Sequence, residues 1–225
     1  VKRFLAGIVA LGLALTGCGS HDSQRASPPE LVGANALGRV LLSADDVDAI
    51  MGTGAMRPHP PVEVMADHRN LLPNLNCLGI WQVNEEGVYG KDGWIALRQQ
   101  LLRSPDTDAW QYLAVQSVVN YPSTDAAREF FDRSSDRWSK CTNHNVNITL
   151  NGQPLPKWHS GELTKTDTEL SIPFTRDNDG GQDLCQRVLS VENNVIIDAQ
   201  ACRRDGRPAS EAVAIAEKIA SKLPT

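Results

Sequence analysis

Apolar residues recur at helical spacing in two long stretches and alternate with polar ones in several others. Ala127, Phe130, Phe131, Ser134 and Trp138 share one face of a helix predicted over 124–140, which Pro122-Ser123 opens. Ala212, Ile215, Ala216, Ile219, Ala220 and Leu223 do the same for a last helix after Pro208. Ser43-Ala44-Asp45-Asp46 predicts the capped start of a short helix through about Met51, with acids at the positive end of its dipole. Strands are expected over 78–84, 94–102, 112–121, 155–166, 168–174, 184–192 and 195–203. Residues 57–76 carry Pro58, Pro60, Pro61 and Pro73 and predict irregular chain with one short extended piece. Most connections are too short for parallel crossovers. The expected fold class is therefore α+β, a mainly antiparallel central β-sheet flanked by helices.

Within the last two strands the register is readable. Asn193-Asn194 suits a two-residue type I′ hairpin turn, because Asn tolerates positive φ. Such a turn pairs Glu192 with Val195, Ser190 with Ile197 and Cys185 with Cys202. The parity puts the two cysteines on a narrow, non-hydrogen-bonded pair, where Cα atoms approach to about 4.5 Å, within disulfide range. A Cys185–Cys202 disulfide is expected, and Cys77–Cys141 follows by elimination once Cys18 is set aside. No C-x-x-C spacing points to a metal, and no cofactor fingerprint or Gly-rich phosphate loop occurs.

Cys18 is set aside because of what precedes it. Lys2 and Arg3 form a positive start, followed by an apolar run over 4–15 that is too short to cross a bilayer. It ends in Leu15-Thr16-Gly17-Cys18, the pattern of a bacterial lipobox, in which small residues admit a peptidase and the cysteine thiol receives diacylglycerol. Competing readings are an ordinary signal peptide with a chance cysteine, or an uncleaved anchor. The expected organisation is a signal peptide at 1–17, a lipidated N-terminus and flexible tether at 18–34, and a folded domain at 35–225. The membrane is then a partner through the lipid anchor, and the domain is held on the extracytoplasmic side.

Composition narrows the function. The 225 residues carry 22 Lys+Arg against 27 Asp+Glu, a net charge of −5, and loss of residues 1–17 takes Lys2 and Arg3 away and leaves −7. An acidic chain of this kind lacks the basic footprint that nucleic acid requires. Hydrophobic residues at 41% are those of an ordinary globular domain.

The ordered set Leu41-Leu42-Ser43-Ala44-Asp45-Asp46-Val47, Cys77, Val88-Tyr89 and Gly93-Trp94 resembles the PknH-like extracellular domain of mycobacteria and related actinobacteria. So do Val118-Val119-Asn120-Tyr121-Pro122, Ala126-Ala127, Trp138, Cys141, Cys185 and Cys202, and the resemblance spans roughly 36–224. That family comprises the sensor domain of a receptor-type Ser/Thr kinase and free-standing lipoproteins. The resemblance implies the two disulfides paired as above, the helix-flanked antiparallel sheet, and a cleft for an unidentified ligand. Nothing in this chain corresponds to the kinase domain.

No residue set reads as catalytic. Trp158-His159-Ser160-Gly161-Glu162 holds suitable residue types, but His159 and Ser160 fall on opposite faces of a strand. Asp67-His68-Arg69 reads as a solvated loop, and the Asn147-Ile148-Thr149 sequon is uninformative in a bacterial chain. Alternation along the strands instead offers a mixed aromatic and polar set for a ligand: Trp94, Arg98, Tyr112, Gln116, Arg187, Asp198 and Gln200. The competing reading is a solvated sheet face on which Arg187 and Asp198 form a diagonal surface pair. Trp138 is expected in the core, and Trp110 either there or at a partner contact. Three functions follow: a non-catalytic, tethered domain that binds a small ligand or envelope component; a structural or surface lipoprotein that binds a protein partner; and an envelope hydrolase.

Overall fold

The computed structural model describes residues 30–72, 74–178 and 180–224. In chain order the helices and strands begin with α1 (Leu37–Val40), α2 (Ala44–Met51), β1 (Arg57–Pro58), α3 (Leu75–Trp81) and α4 (Glu86–Tyr89). β2 (Ala96–Ser104), β3 (Tyr112–Asn120) and α5 (Thr124–Trp138) follow. Five short strands come next: β4 (Asn145–Val146), β5 (Thr149–Leu150), β6 (Gln153–Pro154), β7 (Trp158–Ser160) and β8 (Thr164–Lys165). The chain ends with β9 (Glu169–Asn178), β10 (Gly181–Glu192), β11 (Val195–Arg203) and α6 (Glu211–Ala220).

The β10–β11 hairpin lies in the middle of a nine-stranded sheet of order β1-β2-β3-β11-β10-β9-β7-β4, with β8 also paired to β9. Every described pairing in it is antiparallel. The α+β expectation and the hairpin register both hold: Glu192 faces Val195, and Cys185 faces Cys202 with Cα atoms 4.0 Å apart. The second disulfide joins Cys77 to Cys141, as expected. The turn itself differs from type I′, since Asn193 takes a positive φ (54°) and Asn194 does not. Asn194 has another task. Its buried side chain accepts from Val32 N at 2.8 Å and donates to Tyr121 O at 2.7 Å.

Those bonds dock residues placed in the expected tether. Val32 is buried, and its carbonyl also accepts from Asn120 Nδ2 at 3.0 Å, so the folded unit begins before residue 35. Cys18 and the signal segment lie outside the described residues. No helix of the described residues is long and apolar enough to cross a membrane.

Helix ends follow their local chemistry. Ser43 and Asp46 form a reciprocal capping box on α2, and Gly52 ends it in the left-handed region at φ 70°. Ser123 Oγ accepts from Ala126 N at 3.1 Å to start α5.

Two expectations need correction. Residues 78–84 were expected to form a strand, but 75–81 form α3, capped by Asn74, whose side chain accepts from Asn76 N at 3.1 Å. Leu78, Gly79, Ile80 and Trp81 are all buried, and a continuous apolar run carries no period that separates helix from strand. The expected strand over 155–166 breaks into β7 and β8. Gly161 continues the β7 register by one residue, its N–H donating to Pro173 O and its carbonyl accepting from Asn143 N, each at 2.8 Å, and the regular strand ends there. A Cβ at this glycine would meet Pro173 Cγ at 2.9 Å, so the close approach requires glycine.

Helices cover both faces of the sheet. α3, α4 and α5 pack on one, with Leu97, Val119, Leu189 and Ile196; α1, α2 and α6 pack on the other, with Leu102, Val118, Val188 and Ile197. A strand buried on both sides loses its polar alternation, which explains the near-continuous apolar runs of β3 and β11.

The two disulfides close loops of different length, with separations of 64 and 17 residues. In the chain-entropy model they contribute about 4 and about 3 kcal/mol. Cys77→Ser/Cys141→Ser is therefore expected to lower the stability measured by urea unfolding more than Cys185→Ser/Cys202→Ser does.

Candidate functional site

The seven residues expected to line one cleft do not meet. Arg98, Tyr112 and Gln116 share the sheet face under α1, α2 and α6, whereas Arg187, Asp198 and Gln200 lie on the opposite face. Gln116 is fully buried, donating to Leu42 O at 2.9 Å and accepting from Leu42 N at 2.7 Å, so it holds the chain ahead of α2. Arg98 pairs with Glu63. Tyr112 lies beneath the Arg203 guanidinium, 5.4 Å from its ring centroid. Half-buried Trp94 donates to Gly90 O at 3.2 Å, and Gln200 donates to Cys202 Sγ at 3.4 Å. Trp138 is in the core as expected; Trp110 is buried too, with Arg204 stacked 3.7 Å above its ring.

Arg187 and Asp198 form an ion pair with side chains 1% exposed, not the surface pair weighed above. α3, α4 and α5 seal this face, so the alternation that reads as half-solvated on a strand is buried by helices remote in sequence. Arg187 Nη1 donates to Ala199 O at 2.8 Å and Nη2 to Gln82 O at 3.3 Å, with the guanidinium 5.9 Å from the Trp138 ring centroid. Asp198 Oδ2 accepts from Tyr89 Oη at 2.9 Å and Asn84 N at 3.2 Å. Burial pushes the Asp198 carboxyl above the usual carboxylate range, against the pull of Arg187, Tyr89 and Asn84. Burial, and then Asp198, hold the Tyr89 hydroxyl well above its ordinary value. The cavity beside the pair, about 10 Å³, is too small for a ligand.

What the pair does is anchor chain. It receives the segment 82–89, a short extended stretch followed by the single turn of α4. That segment holds the next one: Ala66 N donates to Asn84 O at 2.9 Å, and Glu86 N to Ala66 O at 2.8 Å. The fully buried Glu85 carboxylate accepts from His68 N at 2.8 Å, with the His68 ring Nδ1 at 2.6 Å. The expectation of a solvated 67–69 loop holds: Asp67 and Arg69 pair at the surface, and the part-exposed His68 side chain also reaches the buried Glu85. A hydrogen-bonded series thus runs from Asp198 to residues 71 and 72, whose N–H groups donate to His68 O at 2.9 Å.

Residues 70–72 and 74 form one wall of an open cleft of about 430 Å³. The opposite wall is 144–148, including β4, and the buried Trp81 of α3 lies between them. The Cys77–Cys141 disulfide ties the two walls together, because Cys77 stands on α3 just after the first and Cys141 just before the second. Asn70, Asn74, Asn145 and Asn147 present carboxamides; Leu71, Leu72, Val146 and Ile148 supply apolar surface. No Lys, Arg, Asp or Glu is among the described lining residues. His159 Nδ1 lies 3.0 Å from Asn145 Oδ1 and orients that amide; His159 is exposed and Ser160 buried, so they face apart as expected.

None of the cleft-lining residues was expected from sequence to bind a ligand, Asn147 and Ile148 being noted only as part of a sequon, although a signal was present. Asn143, Asn145 and Asn147 alternate with His144, Val146 and Ile148, and the Cys77–Cys141 pairing brings that run against residues 70–74. A second groove, about 280 Å³ between α6 and the start of β9, is acidic instead, lined by Glu169, Glu192 and Glu217. Burial, and then Glu217, push the Glu169 carboxyl up.

Comparisons with known proteins agree with this architecture. The family model described as the PknH-like extracellular domain matches residues 32–222. The chain is 30% identical over 196 residues to the serine/threonine-protein kinase PknH of Mycobacterium tuberculosis, covering 87% of this chain and 30% of the kinase. It is 29% identical over 221 residues to the serine/threonine-protein kinase PknH of Mycobacterium bovis, covering 97% of this chain and 36% of that one. It thus spans about a third of the length of the curated relatives it matches. The crystal structure of the extracellular domain of PknH from Mycobacterium tuberculosis matches with a TM-score of 0.76 at 28% identity, over 87% of this chain and 98% of that one.

Two measurements check the electrostatics. Arg187→Met leaves a buried carboxylate unpaired and is expected to cost about 3–5 kcal/mol in urea unfolding, whereas Arg187→Met/Asp198→Leu, which removes both charges, costs less than the single change. A carboxyl whose folded pKa is raised stabilises the fold below the usual carboxylate range and loses that contribution as pH rises through the folded value. The melting temperature of Glu169→Gln is therefore expected to gain on the parent protein between pH 4 and pH 7, and a constant difference overturns the assignment.

Proposed function

The chain belongs to the family of PknH-like extracellular domains, and from that membership we propose that it is a sensor-type, non-catalytic domain that binds a small ligand on the extracytoplasmic side of the cell membrane. The observation that carries this reading is the cleft between 70–74 and 144–148. Its volume is in the small-molecule range of roughly 300–1,000 Å³, and its walls are fixed by a disulfide and by the series of bonds that starts at the buried ion pair. A preorganised cleft of this kind binds without the entropic cost of ordering its own loops. His68 is oriented by the buried Glu85, but no Ser, Thr or Cys side chain among the described residues is hydrogen-bonded to its ring, which favours binding over nucleophilic catalysis.

The lipobox at Leu15–Cys18 supports a lipid anchor, and a tether then spaces the domain from the bilayer. A domain anchored in this way senses in concert with a membrane-spanning partner, because a lipid in one leaflet transmits nothing across the bilayer. Ligand-binding without catalysis is tested by native mass spectrometry of the protein isolated from its own envelope. A reproducible added mass, released unchanged on denaturation, is the expected result; release of a chemically altered mass, or none with any envelope extract, overturns it. Cys18→Ser is expected to move the protein from the membrane pellet to the soluble fraction, and unchanged sedimentation with membranes overturns the lipid anchor.

A further inference from the structure

We infer that the cleft between 70–74 and 144–148 takes an uncharged, hydroxyl-rich ligand of the saccharide class. The inference rests on the ligand-binding reading above and specifies its chemistry. Asn70, Asn74, Asn145 and Asn147 line the cleft, and each carboxamide offers an acceptor oxygen and two donor hydrogens in a fixed plane. Adjacent sugar hydroxyls, each able to donate and accept, match that pattern. The Asn74 oxygen is committed to capping α3 and the Asn145 oxygen to the His159 ring, which points their NH₂ groups to other acceptors. Asn70 and Asn147 make no side-chain hydrogen bond to the described residues and are exposed.

Two further observations restrict the class. Trp81 is 1% exposed, and its indole N–H has no acceptor among the described residues, although a buried indole N–H ordinarily has one. The described lining residues include no Lys, Arg, Asp or Glu and a single titratable side chain, His144, so an ion drawn into the cleft would shed water with at most one imidazole to answer it. A purely aliphatic ligand would strand the amides. A sugar ring avoids both costs, since its C–H groups tolerate the apolar part of the lining while its hydroxyls meet the asparagines.

The test uses the full chain, extracted from its own envelope, beside Asn70→Leu/Asn147→Leu, which alters only exposed side chains. Native mass spectrometry with fragmentation of any released species is followed by titration with neutral trisaccharides and their uronic-acid and amino-sugar counterparts, read at the Trp81 indole resonance. The expected result is a released mass built of sugar increments, or saturable shifts with neutral trisaccharides, weakened at least about tenfold in the double variant and in both charged series. Retention on insoluble neutral wall polysaccharide assigns the source to a polymer, and its absence assigns a free sugar. A released species that is ionic or lipidic, and is lost in the variant, overturns the saccharide class while leaving ligand binding intact. A retained species unaffected by the variant overturns this cleft as its site. No retained mass and no shift with any probe overturn both readings.

Discussion

A charge buried in a protein interior depends on the partner and hydrogen bonds the fold supplies, and the Arg187–Asp198 pair is such a case, although Arg187 Nε has no acceptor among the described residues. Its two residues come from adjacent strands of one hairpin, while the groups that complete it come from Gln82, Asn84 and Tyr89, roughly a hundred residues earlier. The pair is weak grounds for stability in itself, since apolar residues of the same volume often serve as well. What it contributes is position. A segment whose own regular structure is a single helical turn is held to one place on the sheet, because any other placement leaves a guanidinium or a carboxylate unanswered.

The consequence reaches the surface through short links. Segment 84–86 carries residues 66–68 by backbone bonds and by the Glu85–His68 contact, and these lead directly into the wall at 70–74. The other wall depends on a different constraint, the disulfide from Cys77 to Cys141, which fastens α3 to the chain leaving α5. One cleft is therefore held from below by a buried ion pair and from the side by a covalent bond. Loops on such a frame keep their geometry while their side chains remain free for recognition.

Strand pattern misled where both faces of the sheet are covered. Alternation along 112–121 separates two faces correctly, and Leu113, Val119 and Tyr121 do meet the α3–α5 layer. Yet the more polar set, with Gln116 and Asn120, meets α1, α2 and residues near Val32 rather than solvent or a ligand. Buried polar side chains and solvated ones look alike in sequence, since each is a polar residue at period two. The difference lies in partners supplied from distant chain, and those partners were visible only once the layers were assembled.

Local chemistry was legible wherever the interacting groups are close in sequence. The Ser43–Asp46 capping box, the apolar stripes of α5 and α6, and the β10–β11 register with its Cys185–Cys202 disulfide all follow from spacing and turn residues. The second disulfide was legible by elimination, and the family by an ordered set of residues that no single motif carries. The helical state of 75–81, the burial of Arg187 and Asp198, and the cleft itself belong to tertiary structure. A uniformly apolar run has no period to declare its conformation, and a charged side chain has no mark that says which helix will cover it. Asparagines more than seventy residues apart become one surface only because a disulfide and a buried ion pair bring their backbones together.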